Sequence, residues 1–252
     1  MQHGVKAKIG RVISKSPRLS NLLSWSLSFT TEDGRKKRRA RYYEKLHREE
    51  FMYKCTRFFF ANMIQGDYLE FGCCGGMTFR LASKYAHFHK LNMHLYAFDS
   101  FEGLPAPKGI DDHPQWEKGA MSIGIEKFKR ILKSAGVKES EYTLIPGYYS
   151  DSLPHLLLDK LNLKIAALIY VDCDLYESTV TVLDFVLPLL QTGTIIAFDD
   201  FYCFNGDPDR GEQLAWREFL QRNPEIEPVS YLNFGWHGKS FIIKKHDSKK
   251  TL

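Results

Sequence analysis

Four short apolar segments of the chain each run into glycine or aspartate, and each is followed by a stretch with helical spacing. Tyr68-Leu69-Glu70-Phe71 meets Gly72, and Met93–Phe98 stops at Asp99-Ser100. Ile165–Val171 stops at Asp172, and Gly193–Phe198 stops at Asp199-Asp200. Strands alternating with helices predict an α/β fold with a mostly parallel sheet. Ile165–Val171 is apolar throughout, as a strand covered on both faces requires. Helical patterns over Met77–His89, Ile125–Ala135, Glu177–Leu190 and Asp209–Gln221, and from about Asp151, supply the covers. Tyr142–Ile145 reads as a further strand. Pro228–Phe234 and Lys239–Lys245 read as a closing hairpin around the Phe234–Gly238 turn. The expectation is seven strands, five of them parallel.

In open sheets of this kind ligands bind beyond the carboxyl ends of the strands, which is where the acidic residues fall. Burying several unpaired carboxylates together is costly, so something cationic or hydroxyl-bearing is expected among them. Asp172 and Asp199-Asp200 end two apolar strands; if these are neighbours, their ends lie about 5 Å apart. Hard oxygen ligands at that density suit Mg²⁺, or Mn²⁺ or Ca²⁺. The competing reading makes Asp200 a turn cap, and Asp172 or Asp174 the cap of the helix near Glu177. A divalent ion there could hold a substrate hydroxyl and lower its pKa.

Glu70-Phe71-Gly72-Cys73-Cys74-Gly75-Gly76 forms a strand, a glycine turn and a helix start. Such a turn lets backbone approach a ligand, and the helix aims N–H groups at a carboxylate or phosphate. Asp99 at the next strand end can accept hydrogen bonds from ribose hydroxyls. The dinucleotide fingerprint G-x-G-x-x-G is absent, which disfavours a nicotinamide-dependent oxidoreductase. Glu70 favours S-adenosylmethionine, whose ammonium calls for a nearby carboxylate. His237, in the turn after Trp236, could accept a proton near pH 7, although a lone loop histidine is more often simply exposed. The segment Phe101–Ser122, rich in Gly, Pro and Asp, reads as a lid in which Trp116 could close over a ligand. Arg210 could meet an acidic acceptor or a surface partner.

The net charge of +5 conceals an asymmetry: residues 1–60 hold 15 Lys/Arg against 5 Asp/Glu, and the remainder is net acidic. Arg35, Lys36, Lys37, Arg38, Arg39 and Arg41 are the densest piece. They suit a solvated helix face, or contact with a membrane surface or another polyanion. The expected division is a basic arm with a helical segment over residues 1–60, and one domain over residues 61–252. A nucleic-acid substrate is disfavoured by the acidic strand ends, which would repel phosphates. No apolar run reaches the ~18–20 residues of a membrane span. The five cysteines include no C-x-x-C pair, and a reducing, cytoplasmic setting is expected. A non-catalytic binding module tethered by the basic segment is the reading from another class.

Five stretches together resemble the macrocin O-methyltransferase family. They are YLEFGCCGGMT (Tyr68–Thr78), AFDSFEGLP (Ala97–Pro105), IPGYYSDSLP (Ile145–Pro154), YVDCDLYEST (Tyr170–Thr179) and AFDDFY (Ala197–Tyr202). The resemblance covers about residues 40–245. It implies a class I methyltransferase sheet, Rossmann-like, with helices on both faces. It also implies methyl transfer from S-adenosylmethionine to a sugar hydroxyl of a natural product or glycan, with Mg²⁺, in a homo-oligomer. A non-sugar small-molecule hydroxyl or carboxyl is the alternative acceptor. By this resemblance Glu70, Phe71, Gly72, Cys73, Gly75 and Thr78 belong to the cofactor loop, and Asp99 and Ser100 to the ribose end. Gly147, Tyr148 and Ser150 fall where the adenine is enclosed. Asp172, Asp199 and Asp200 match the magnesium ligands, and Asp172 also matches the catalytic base and borders the cofactor. The sequence departs from the family at Cys73-Cys74 and at Phe234–Lys239.

Overall fold

The computed structural model describes residues 31–114, 116–155 and 158–246. Of the expected basic arm and helical segment over residues 1–60, residues 1–30 lie outside them. The chain divides into two compact units, Met1–Leu46 and His47–Leu252. The division falls before residue 60 because Phe51, Met52, Cys55 and Phe59 are buried core residues of the second unit. In the first unit, Thr31 caps the start of helix α1 (Glu32–Asn62) by accepting the Gly34 N–H at 3.1 Å. Lys36–Glu32 and Lys37–Asp33 pair one turn apart at 2.9 Å on exposed positions, contacts of small energetic weight.

The second unit holds β1 (Asp67–Phe71), α2 (Met77–Phe88), β2 (Leu95–Asp99), α3 (Ile125–Ser134) and β3 (Tyr142–Pro146). Short helices α4 (Tyr149–Ser152) and α5 (Leu158–Leu161) precede β4 (Ala166–Val171) and α6 (Tyr176–Val186). β5 (Ile195–Phe198), α7 (Gly211–Arg222), β6 (Ile226–Phe234) and β7 (Gly238–Lys245) complete it. The sheet order is β3-β2-β1-β4-β5-β7-β6. β1 to β5 are parallel, and β7 inserts antiparallel between β5 and β6. This is the expected seven-stranded α/β sheet. α6 stops earlier than its apolar pattern suggests, because Pro188 carries the chain into a 3₁₀ turn over Leu187–Leu189.

Alternation along the strands separates two cores. Leu69, Phe71, Phe98, Ile169, Val171 and Phe198 face α6 and α7. Tyr68, Ala97, Leu168, Tyr170 and Ile195 face Phe51 and Phe59 of α1, Phe79 of α2 and Phe128 of α3. Each strand is therefore buried on both sides, which explains its continuous apolar run. β1 lies between β2 and β4, so the chain order reverses at the β1/β4 boundary and opens a crevice beyond their carboxyl ends.

Candidate active site

The sheet ladder continues past the strand ends and aligns the candidate residues in one row. Gly147 N–H donates to Asp99 O (3.0 Å), and Gly72 N–H to Phe98 O (2.9 Å). Asp172 N–H donates to Phe71 O (2.8 Å), and Asp199 N–H to Val171 O (2.8 Å). Gly72 has φ +88°, and a Cβ there would lie 1.8 Å from the Asp172 carbonyl oxygen, so only glycine lets β1 and β4 end side by side.

Asp99 shapes the glycine turn. Its carboxylate accepts the N–H groups of Cys73 (2.7 Å), Cys74 (3.2 Å) and Phe101 (2.7 Å). Ser100 accepts the Glu102 N–H and donates to Gly103 O, turning the chain into the Phe101–Ser122 segment. Gly75 stands in open space, and α2 begins without a side-chain cap. Tyr148 and Ser150 lie beside Gly147 at the end of β3, with Ser150 exposed. Gly72, Gly75, Asp99, Ser100, Gly147, Tyr148, Ser150 and Asp172, with the Cys73 backbone, thus share one edge of the sheet.

Three of the expected cofactor residues have side chains buried away from the crevice. Phe71 is fully buried and stacks on Phe98 at 4.4 Å between ring centres. Glu70 points to the opposite core face, where the Tyr68 hydroxyl and Thr78 Oγ1 (2.6 Å) donate to its carboxyl group. Strand alternation forces this: Tyr68 and Glu70 share a face, and Thr78 on α2 closes over it. Burial pushes the Glu70 carboxyl up to about 8 despite these two donors. Glu70 and Thr78 therefore brace the turn from within and are not open to a ligand.

The acidic end holds more groups than the strand-end pattern suggested. Ligand atoms of Asp172, Asp174 and Asp200 come within 4.8 Å of one another, as do those of Asp199, Asp200 and His237. The expected set of Asp172, Asp199 and Asp200 is thus divided between two groupings that share Asp200. Asp199 has other partners as well. Tyr170 OH donates to its Oδ1, and Arg48 from α1 donates to its Oδ2 at 2.5 Å. Burial opposes the Arg48 charge, but Asp199 next to it, with Tyr170 and Asp172, holds the guanidinium protonated. Burial and then the mutual repulsion of the acids drive the Asp172 and Asp174 carboxyls well above the usual carboxylate range. Burial and Asp199 raise Asp200 as well. Glu212 on α7 adds a buried carboxyl: Oε2 accepts the Asp200 N–H at 2.9 Å, while Oε1 is buried without a hydrogen bond.

His237 is 6% exposed, not the open loop histidine that a turn suggests, while Trp236 is outside at 67%. Nδ1 meets the Asp199 carbonyl oxygen, which can only accept, so Nδ1 carries the proton in the neutral ring and Nε2 the lone pair. Nδ1 also lies 3.7 Å from Asp199 Oδ2.

Asp174 does not cap α6; it is buried with φ +62° and faces Asp200. The cap comes from the 101–122 segment instead, where buried Asp111 accepts the N–H groups of Tyr176 (2.7 Å) and Glu177 (3.2 Å). Arg210 donates to Ile110 O (2.6 Å) and Asp112 O (3.1 Å) and lies over Phe204. Trp116 and His113 also pack on Phe204, at 6.4 and 5.5 Å between ring centres. The segment is therefore anchored over the acidic end at several points. Arg48, Tyr170, Asp174, Glu212 and Asp111 were not foreseen as partners of this site. Only Asp174, two residues after Asp172 in D-x-D, carried a local signal.

Among known proteins, the model of the macrocin O-methyltransferase family (TylF) matches residues 45–231. The 8-demethyl-8-(2,3-dimethoxy-alpha-L-rhamnosyl)-tetracenomycin-C 4'-O-methyltransferase of Streptomyces olivaceus is 28% identical over 165 residues, 62% of this chain. That match spans 60% of the relative's length. Two solved structures share the fold. The O-methyltransferase NovP has a TM-score of 0.64 and 20% identity over 78% of this chain and 79% of its own. CalS11, a calicheamicin methyltransferase, has a TM-score of 0.62 and 21% identity over 94% of this chain and 90% of its own. With a family match that takes in both the glycine turn and the acidic strand ends, the chain belongs to the macrocin O-methyltransferase family.

Proposed function

We propose that the protein transfers a methyl group from S-adenosylmethionine to a sugar hydroxyl, with Mg²⁺ at the acidic end of the sheet. The observation that carries the reading is the single row of strand ends. The Asp99-pinned glycine turn and the Asp172/Asp200 acids meet on either side of the β1/β4 crevice. Sugar as the acceptor rests on the relative named for methylating a rhamnosyl group.

The residues present fit both groups. The open Gly75 and the uncapped start of α2 suit a carboxylate, and Ser100, Gly147 and Tyr148 border the space where a nucleoside would lie. S-adenosylmethionine supplies the electrophilic methyl. Hard carboxylate oxygens at Asp172, Asp174, Asp199 and Asp200 would hold Mg²⁺, whose charge polarises an acceptor hydroxyl. The acids, crowded and forced up in pKa, need such a countercharge to ionise together. The chain's own contribution is to orient the hydroxyl and take its proton. The lone pair of His237 Nε2, its tautomer fixed by the Asp199 carbonyl, makes His237 a proton acceptor alongside Asp172. The 101–122 segment, clamped through Asp111 and Arg210, excludes water from the reacting atoms. The reading includes a homo-oligomer, and a contact of the exposed Arg35–Arg41 run with a membrane surface or other polyanion.

The test is label transfer. Methyl-labelled S-adenosylmethionine should label a hydroxyl of rhamnosides offered with Mg²⁺. A folded sample that binds S-adenosylhomocysteine but labels none of a panel of such sugars contradicts the sugar reading.

A further inference from the structure

Trp236 is the feature that the function has not absorbed. It stands in the β6–β7 turn between Phe234 and His237, which are 5% and 6% exposed, yet it is itself 67% exposed. The turn that carries it is held at both ends. Phe234 stacks on Phe51 of α1 at 4.2 Å between ring centres, and the His237 carbonyl accepts the Tyr202 N–H at 2.9 Å. Gly238 closes the turn so tightly that a Cβ there would lie 2.3 Å from the Phe234 ring. The indole therefore projects from a fixed base. Its ring centre lies 4.8 Å from that of His237, with the ring planes 80° apart. With this edge-to-face contact and this exposure, an indole face is open to solvent directly beside the imidazole that meets Asp199.

We propose that Trp236 is the platform on which the sugar ring of the acceptor stacks, and so a determinant of acceptor specificity. The proposal rests on the reading of a sugar acceptor. Its physical basis is the match between two surfaces. One face of a pyranose presents C–H bonds, whose hydrogens carry partial positive charge, while its rim carries hydroxyls. The face of an indole is apolar and is the negative side of the ring quadrupole. A sugar lying on Trp236 buries its C–H face and leaves the rim hydroxyls for polar groups to engage. His237 adjoins the indole, so a rim hydroxyl is presented to the imidazole and to the acids beside it. The stacking holds the ring in the same way before and during methyl transfer, so it contributes to acceptor binding and not to the chemical step.

The experiment is calorimetric titration of the full-length protein, saturated with S-adenosylhomocysteine and Mg²⁺, with methyl α-L-rhamnopyranoside. Trp236→Ala should weaken rhamnoside binding about tenfold or more. Trp236→Phe should stay within about threefold of wild type, because an aromatic face is kept. In turnover, Trp236→Ala should raise KM for the rhamnoside about tenfold and leave kcat within about threefold. The affinity for S-adenosylhomocysteine and the thermal stability should match wild type in both variants, since the side chain is exposed. Tryptophan fluorescence gives a second reading: the rhamnoside should change the emission of wild type, and the change should be lost in Trp236→Phe.

A Trp236→Ala protein that binds the rhamnoside as tightly as wild type overturns the proposal. So does one whose sedimentation mass changes while its rhamnoside affinity does not, because Trp236 then serves contact between copies of the chain. A loss of kcat with KM unchanged overturns it as well. Wild-type protein that binds S-adenosylhomocysteine but no rhamnoside is a different outcome: it removes the sugar reading itself, and the proposal with it.

Discussion

Glu70 offers a quantitative test of the inner brace of the glycine turn. Its carboxyl is fully buried, and burial pushes its pKa up to about 8 from the ordinary 4.5. In the unfolded chain Glu70 has lost its proton by pH 6, whereas in the folded protein it still holds it. Over this range the folded state binds more protons than the unfolded state, so stability falls as pH rises toward the folded pKa. The contribution is fully present below the unfolded value and is lost progressively up to about pH 8. The slope approaches about 1.4 kcal/mol per pH unit, which amounts to about 2 kcal/mol between pH 6 and pH 8. For a domain of this size that corresponds to roughly 4–8 °C in Tm. Glu70→Gln keeps the shape and cannot ionise, and its amide oxygen still accepts from one of the Tyr68 and Thr78 hydroxyls. Thermal unfolding by circular dichroism, at pH 6 and pH 8 in the presence of chelator, compares the two proteins. The other buried acids titrate equally in both, so the difference isolates Glu70. The variant should lose less Tm than wild type by about that margin. Equal losses in both proteins would refute the account of Glu70 as a buried, protonated brace.

Two further outcomes follow from the contacts around the acidic end. Asp111→Ala removes the cap of α6 and the anchor of the 101–122 segment, and should cost about 1–2 kcal/mol of stability by chemical denaturation. It should also open that segment to limited proteolysis while S-adenosylhomocysteine binding is retained. His237→Gln should lower kcat by about 10²-fold or more with cofactor affinity unchanged. A His237→Gln enzyme with full kcat would assign the proton to Asp172 alone.

Much of the fold was legible because its signals are local. Apolar runs bounded by Gly72, Asp99, Asp172 and Asp199 are long enough to be strands and too short to be helices, and the sheet uses each of them. The row of strand-end residues followed from the same pattern, since parallel strands in register end together. Side-chain direction was harder to read. Glu70 and Phe71 are adjacent in a motif associated with the cofactor, yet strand alternation sends them to opposite cores, away from the crevice. The burial of His237 was not legible because a turn predicts exposure, whereas β7 docks on β5 and carries the turn's end against Asp199.

Arg48 and Glu212 were invisible for another reason. Each lies on a helix distant in sequence from the acid it contacts: 151 residues separate Arg48 from Asp199, and 12 separate Glu212 from Asp200. Nothing in local spacing distinguishes Arg48 from the other basic residues of α1. Only the packing of Phe51, Met52, Cys55 and Phe59 into the core sets the helix rotation that aims it inward. Asp174 was read as a helix cap because Asp two residues before Tyr176 commonly is one. Asp111, from a segment with no regular pattern, took that position first.

Calorimetric titration with S-adenosylhomocysteine, with and without Mg²⁺, tests the central claim most directly. The account predicts saturable binding, on the order of micromolar, abolished or greatly weakened by substitution of Asp99. A folded protein that binds no S-adenosylhomocysteine in either condition would contradict the cofactor crevice, and with it the methyl transfer.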